Sequence, residues 1–418
     1  MKYFRMNTRS DLPGSLKRPP AIVLLCVAVL FAAALPTSVY AQDWRFEPIV
    51  RVGGEYDDNA RLQFRTDQEV KLQGYLADLR ALMTYSSEKT SFTLQPSAVL
   101  RRYPDEPTYD SENYYLQSRF SRDTRSGNFG FLATYAQEDV RTAERAISDP
   151  EIDNPDEITD DDTGRVLLSG ERSKWRIAPN WGYRWSDVSS ISADLDYFDV
   201  RYDETFSGLL SDYTDARLNL NYRRDFSNVN AGLLTLTGRK YSTAASPTDA
   251  DGYGLKVGFD RTLSEKTRLR AMIGVENTQQ TNGQSEPEAV GDVTLVRDLK
   301  TIRMFAQYRR MVVASGAGGL SVRDAINVNF RRRLSEKISA GLGIRAYQSR
   351  GTGNSTSIDD RDYIQLQSSF LWYLSKSLVI ETDYRYTISD RDPGIGERAN
   401  SNQINVWFVY QPRTVPRL

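Results

Sequence analysis

Arginine recurs at even-numbered intervals along this 418-residue chain. Arg176 and Arg184, Arg217 and Arg223, Arg303 and Arg309, and Arg331 and Arg333 each share a parity. Arg80, Arg101, Arg119, Arg239, Arg270, Arg323, Arg345 and Arg385 fall on the polar parity of their own stretches. A guanidinium is a planar fork of N–H donors that grips carboxylate, phosphate or sulfate through two oxygens. A set of them facing water would lower the entry barrier for negative solutes. Asp194, Asp196, Asp260, Glu276, Glu381 and Asp383 share the arginines' parity. Pairing with these acids would leave the arginines only stiffening a wall. Tyr103, Tyr347, Tyr373 and Trp407 offer ring faces that would either stack on sugars or fill space.

Other chemistry is closed off. The chain has no histidine, which removes every Ser-His, Cys-His and His-metal site. Its one cysteine, Cys26, lies in an apolar run near the N-terminus and follows Leu25, unlike a lipoprotein acylation site. Catalysis by carboxylates alone stays formally open, but no pair stands out. A non-enzyme with no cofactor and no metal is expected.

The N-terminus reads as an export signal. Lys2, Arg5, Arg9, Lys17 and Arg18 precede the apolar run Ala21 to Leu35, and Val39-Tyr40-Ala41 places cleavage between Ala41 and Gln42. The expected domains are a signal peptide, 1–41, and a barrel, 42–418. Of 54 basic and 55 acidic residues, the leader takes five and one, so the remainder carries a net charge of −5.

From Trp44 onward, alternating segments of about ten residues are joined by polar turns and loops, the length and period of a tilted membrane strand. In Trp175 to Trp185 one parity holds Trp175, Ile177, Pro179, Trp181, Tyr183 and Trp185, and the other Arg176, Ala178, Asn180, Gly182 and Arg184. Successive side chains of a strand point to opposite faces, so such a segment separates lipid from water. Leu263-Ser264-Glu265-Lys266 and Leu334-Ser335-Glu336-Lys337 typify eight short turns, the others lying near residues 86–89, 124–127, 187–189, 227–229, 298–300 and 374–377. Nine longer connections are expected near 57–68, 104–112, 139–173, 203–214, 242–253, 278–291, 312–321, 349–361 and 389–401. Together they join about 18 strands, or 16 if residues 292–310 do not supply two.

These readings predict an all-β fold: a transmembrane antiparallel β-barrel in the outer membrane of a Gram-negative cell, with short periplasmic turns and long extracellular loops. A solid soluble core could not hold the arginine parity without a large desolvation cost, whereas a wet lumen can. The expected lumen lining is Arg80, Arg119, Arg176, Arg184, Arg217, Arg223, Arg270, Arg303, Arg309, Arg345, Arg385, Tyr347 and Tyr373. The acidic loop 139–173, with Asp160, Asp161 and Asp162, would be an infolded constriction, a cation-bridged contact to lipopolysaccharide, or simply a solvated loop. The first strand begins almost at the cleavage site, which argues against a plug domain and an energy-coupled siderophore transporter.

The segment Val52-Gly53-Gly54-Glu55-Tyr56-Asp57-Asp58-Asn59-Ala60-Arg61-Leu62 resembles the opening of EpsL-like outer-membrane proteins, the β-barrel porin-2 family of exopolysaccharide gene clusters. The resemblance implies a large barrel serving export or assembly of a surface polysaccharide with periplasmic partners, and it supplies no catalytic residues. Three functions follow as alternatives: a polysaccharide conduit, a general or anion-selective diffusion porin, and a structural or adhesive barrel with a closed lumen. Expected partners are outer-membrane lipid and lipopolysaccharide, the barrel-assembly machinery, and for the conduit the polysaccharide and periplasmic export proteins; no nucleic acid is expected.

Overall fold

The computed structural model describes residues 44–143, 170–203, 210–244, 249–280, 285–316, 319–351, 360–391 and 398–412. The signal peptide with its Ala41/Gln42 junction, and residues 144–169 of the acidic loop, lie outside the described residues.

Eighteen strands follow one another: β1 (Trp44–Asp57), β2 (Leu72–Ser86), β3 (Thr90–Arg102), β4 (Ser111–Asp123), β5 (Gly127–Asp139) and β6 (Glu171–Ser186). Next come β7 (Ser189–Tyr202), β8 (Tyr213–Ser227), β9 (Asn230–Thr243), β10 (Ala250–Ser264), β11 (Thr267–Gln280) and β12 (Ser285–Asp298). The last six are β13 (Ile302–Ser315), β14 (Gly319–Ser335), β15 (Ile338–Gly351), β16 (Arg361–Tyr373), β17 (Leu378–Arg391) and β18 (Arg398–Tyr410). Each pairs antiparallel with its sequence neighbours, and β1 pairs with both β2 and β18, so the sheet closes on itself. Closure satisfies in-wall backbone groups without water, the condition for crossing hydrocarbon.

The eight short turns span two to four residues and fall where the sequence places them. Their recurrent serine has a local cause. The hydroxyls of Ser87, Ser227, Ser264, Ser335 and Ser375 accept backbone N–H groups two or three residues on, closing the turn without a glycine.

The apolar parity faces outward. Trp175, Ile177, Trp181, Tyr183 and Trp185 of β6 are about half exposed, as are Leu255, Val257 and Phe259 of β10. Aromatic groups gather at two levels. Near the short turns, Trp44 packs on Tyr85 and Phe92, and Trp185 stacks on Tyr222. Near the loops, Tyr135 packs on Trp175 with centroids 4.6 Å apart. Trp175 and Trp185 are ten residues apart on one strand, which at the usual rise and tilt separates them by roughly 24 Å, close to the height of an outer-membrane apolar band.

Strands run 13–17 residues, longer than the ten or so anticipated. The excess lies at the loop end. Thr278 to Gln280 and Ser285 to Gly291 belong to β11 and β12, and residues 312–315 and 319–321 to β13 and β14, although both regions read as loops. Strand ends beyond the bilayer need no apolar face, so their alternation fades while their pairing continues. Residues 292–310 do supply two strands, which settles the number at 18 rather than 16.

Two seams are short. β1 and β18 share eight residue pairs, Val50↔Tyr410 to Asp57↔Gln403. β12 and β13 also share eight, and their pairing stops at Gly291↔Arg310, leaving β13 from Met311 onward paired with β14 alone.

Candidate functional site

Beyond Met311 the sequence reads Val312-Val313-Ala314-Ser315-Gly316, apolar on both parities. A segment of that kind must be covered on both faces. The β13–β14 hairpin meets this need by leaving the wall and folding into the barrel, where Val312 is fully buried among Val200, Tyr213, Tyr241, Ala250, Val290, Ala314 and Leu320. Polar contacts pin it. Arg217 Nη2 and Arg239 Nη1 donate to the Val312 carbonyl at 2.7 and 2.9 Å, Tyr241 Oη donates to the Ser315 carbonyl at 3.2 Å, and the Ser211 N–H donates to the Gly316 carbonyl at 2.8 Å. A Cβ at Gly316 would collide with the Tyr202 hydroxyl, so a larger residue here requires that ring to shift. The hairpin thus spans from β13 to the inner faces of β7–β10 and narrows the loop half of the lumen. Towards the short turns the lumen is wetter: the Arg223 and Arg303 side chains are 38 and 39 % exposed, against 1 % for Arg239.

The expected lining residues all take the parity opposite the apolar exterior, but their surroundings differ around the wall. On β1–β11 and β17 the inner arginines mostly meet acids. Arg80 lies 2.6 Å from Asp78, and Arg51 bridges Asp78 and Glu381 at 3.3 and 3.1 Å. Arg176 grips Asp196 through two bonds, Arg239 grips Asp215, Arg223 reaches both Asp225 and Asp260, and Arg385 lies 3.3 Å from Asp383. Arg217, besides holding the hairpin, lies 3.6 Å from Glu276. Arg270 rests on the Met272 sulfur at 3.4 Å. Arg119 sits mid-strand on β4, opposite Thr93 and Leu132, and Arg184 stands exposed near the short-turn rim. For these strands, wall-stiffening pairs describe most of the set.

The sector β13–β16 is different. Its inner positions carry Arg303, Arg309, Arg323, Arg331, Arg333, Arg345 and Arg361, with Phe305, Gln307, Ala325, Asn327, Asn329, Tyr347, Tyr363, Gln365, Gln367 and Tyr373. No Asp or Glu of these four strands takes the inner parity; Asp324 and Asp362 take the outer one. Acids return on the flanks: β12 sets Asp292 opposite Arg309 and Asp298 3.5 Å from Arg303, and β17 brings Glu381 and Asp383.

The ring faces anticipated for sugars are covered by the protein itself. Tyr103 is 1 % exposed, donates to Glu55 at 2.7 Å, and lies under Arg141. Arg51 covers Trp407 at 4.6 Å, Tyr347 stacks on Tyr363 at 4.9 Å, and Tyr373 packs with Leu76, Val379 and Trp407.

The residues that carry the family resemblance close the barrel. Asp57 accepts from the Asn59 N–H and the Ser401 hydroxyl, and Asp58 accepts both the backbone and side-chain N–H of Asn402. Asn59 donates to the carbonyls of Gln63 and Asn400 and accepts from the Gln63 N–H, while Leu62 takes the left-handed region at φ 49°. The motif ties the β1–β18 seam at its loop end.

The protein is an outer-membrane β-barrel. No family model matches the chain, and no curated protein matches it. Among solved structures it is similar to OccAB4 of Acinetobacter baumannii, at 8 % identity, TM-score 0.42, and 89 % of this chain against 99 % of that one. It is also similar to OprD of Pseudomonas aeruginosa, at 9 % identity, TM-score 0.42, and 90 % against 98 %. The siderophore receptor PirA from P. aeruginosa follows at 11 % identity, TM-score 0.38, and 90 % against 81 %.

Sequence reasoning missed Arg361, which fell in the expected loop 349–361, and missed the hairpin tip. The signals are present in both cases. Arg361, Tyr363 and Gln365 continue one parity, and Val312 to Ala314 breaks alternation inside an apolar run.

Proposed function

We propose that this barrel is a diffusion channel for small anionic solutes, constricted by the inward β13–β14 hairpin. The observation that carries the reading is the arginine-bearing, acid-free inner sector of β13–β16. A sector whose own strands turn arginines and no carboxylate inward, beside a narrow, low-dielectric passage, attracts anions and repels cations. The alternative of a conduit for exopolysaccharide export draws less support. The motif behind that resemblance is consumed in closing the wall, the aromatic faces are covered, and the hairpin occupies space that a polymer would need.

The test is the reversal potential of the purified protein in planar bilayers under a salt gradient. Anion preference is expected. Arg331→Glu with Arg345→Glu should reduce or invert it, while Arg176→Gln, whose charge Asp196 already offsets, should shift it far less. A cation-selective wild type would overturn the reading.

A further inference from the structure

The outside of the wall carries a second charge pattern. Near the short turns, the outward parity holds an arginine on β4, β8, β10, β12 and β14: Arg122, Arg224, Arg261, Arg297 and Arg332. Each is exposed and stands two residues beyond an outward apolar side chain, such as Phe259 before Arg261 or Leu295 before Arg297. At the usual rise and tilt, two residues place the guanidinium roughly 5 Å below the last of the apolar exterior. The register fixes the level independently. Arg224 lies directly across from Ser189, whose other neighbour is Ser186, next to Trp185 of the lower aromatic girdle. Tryptophan and tyrosine settle at the headgroup layer, so the arginines lie in that layer too. On β2, β6, β16 and β18 aromatic side chains, Tyr85, Trp185, Trp372 and Tyr410, take the lower edge instead. The arginines of β8, β10, β12 and β14 therefore form one arc along a single flank.

No acid balances this arc from the same face. The residues directly across from these four on both neighbouring strands run from Ser189 and Gly232 beside Arg224 to Ile302 and Ala340 beside Arg332, and none is Asp or Glu. Asp225 and Asp298 take the inner parity, and Glu265 and Glu336 of the turns each precede a lysine, Lys266 and Lys337. The loop end of the exterior is built differently. There Arg201 lies 3.1 Å from Asp199, Arg310 2.7 Å from Asp324, Arg398 3.3 Å from Asp390, and Arg102 pairs with Glu112.

We propose that the arc of Arg224, Arg261, Arg297 and Arg332 is a binding surface for anionic phospholipid in the periplasmic leaflet. A guanidinium at headgroup depth meets lipid phosphate oxygens and can grip two of them at once. A net-negative headgroup adds a long-range attraction to each arginine that a zwitterionic one does not. The apolar band directly above the arc receives the acyl chains of the same lipid. The barrel then carries a lipid-selective flank on β8–β14 and an aromatic, less selective one around β16–β18 and β2. This surface is on the outside of the wall and is independent of the solute that passes through it.

The experiment is native mass spectrometry of the detergent-solubilised full chain titrated with phosphatidylglycerol and, separately, with phosphatidylcholine of the same acyl chains. Tighter retention of phosphatidylglycerol is expected. Replacing all four arginines of the arc by Gln should weaken it by about tenfold or more. Replacing Arg102, Arg201, Arg310 and Arg398 by Gln removes as many charges from the loop end and should leave it unchanged. Inorganic phosphate, compared with chloride at equal ionic strength, should not displace the lipid. Heat-modifiable migration on gels verifies that each variant is folded. Equal retention of the two lipids, unchanged retention by the arc variant, or equal losses in the two variants overturns the surface. Displacement by inorganic phosphate would assign the arginines to a free anion and overturn the lipid.

Discussion

At the scale of single residues, charge was legible in the sequence and its neutralisation was not. The parity of Arg80, Arg176 or Arg345 follows from alternation alone, but whether an acid stands opposite depends on register between strands, which a single strand does not reveal. Arg51 illustrates the difference. It joins Asp78 to Glu381 across β1, β2 and β17 and covers Trp407, with its side chain 5 % exposed. Arg51→Ala would leave two buried carboxylates short of a partner, and loss of one member of a buried pair costs about 3–5 kcal/mol. A lower urea midpoint for unfolding in detergent is expected; an unchanged midpoint would show that Arg80 alone satisfies Asp78. Arg361 opens its strand beside Asp362, so its parity shows only once Ile364 and Leu366 begin the apolar alternation three residues later.

At the scale of elements, hairpin rhythm was legible because lipid and water impose it, and it fails where neither is the neighbour. The β13–β14 tip is enclosed by protein on both faces, so its apolar run carries no period of two and resembles a loop. The acidic loop 139–173, a candidate constriction by length, lies largely outside the described residues, and the constriction that the structure describes is made by this other hairpin. Gly316→Leu places bulk against Tyr202 and should push the tip from its seat. Single-channel conductance should rise several-fold while the folded barrel persists on gels. Arg239→Ala, which removes one bond to the Val312 carbonyl, should give a smaller rise and more frequent flicker between levels. Unchanged conductance in both variants would remove the hairpin from the account of the bore.

At the scale of the whole molecule, eighteen strands were countable because each crossing of the bilayer needs its own alternating segment. The lack of histidine also acts globally. No side chain has an ordinary pKa between about 5 and 8, so selectivity should be flat from pH 6 to pH 8. A step in reversal potential within that window would require a strongly displaced lumenal carboxylate or lysine. The hairpin has a mechanical meaning as well. A thin cylinder held round only by its seams is easily squeezed towards an ellipse, and the β12–β13 seam is among its two shortest. The inward arm runs from beside that seam to β7–β10 like a chord inside a ring, and a chord fixes the distance between the points it joins. The flank most ready to buckle is therefore braced by the very residues that leave it short of partners.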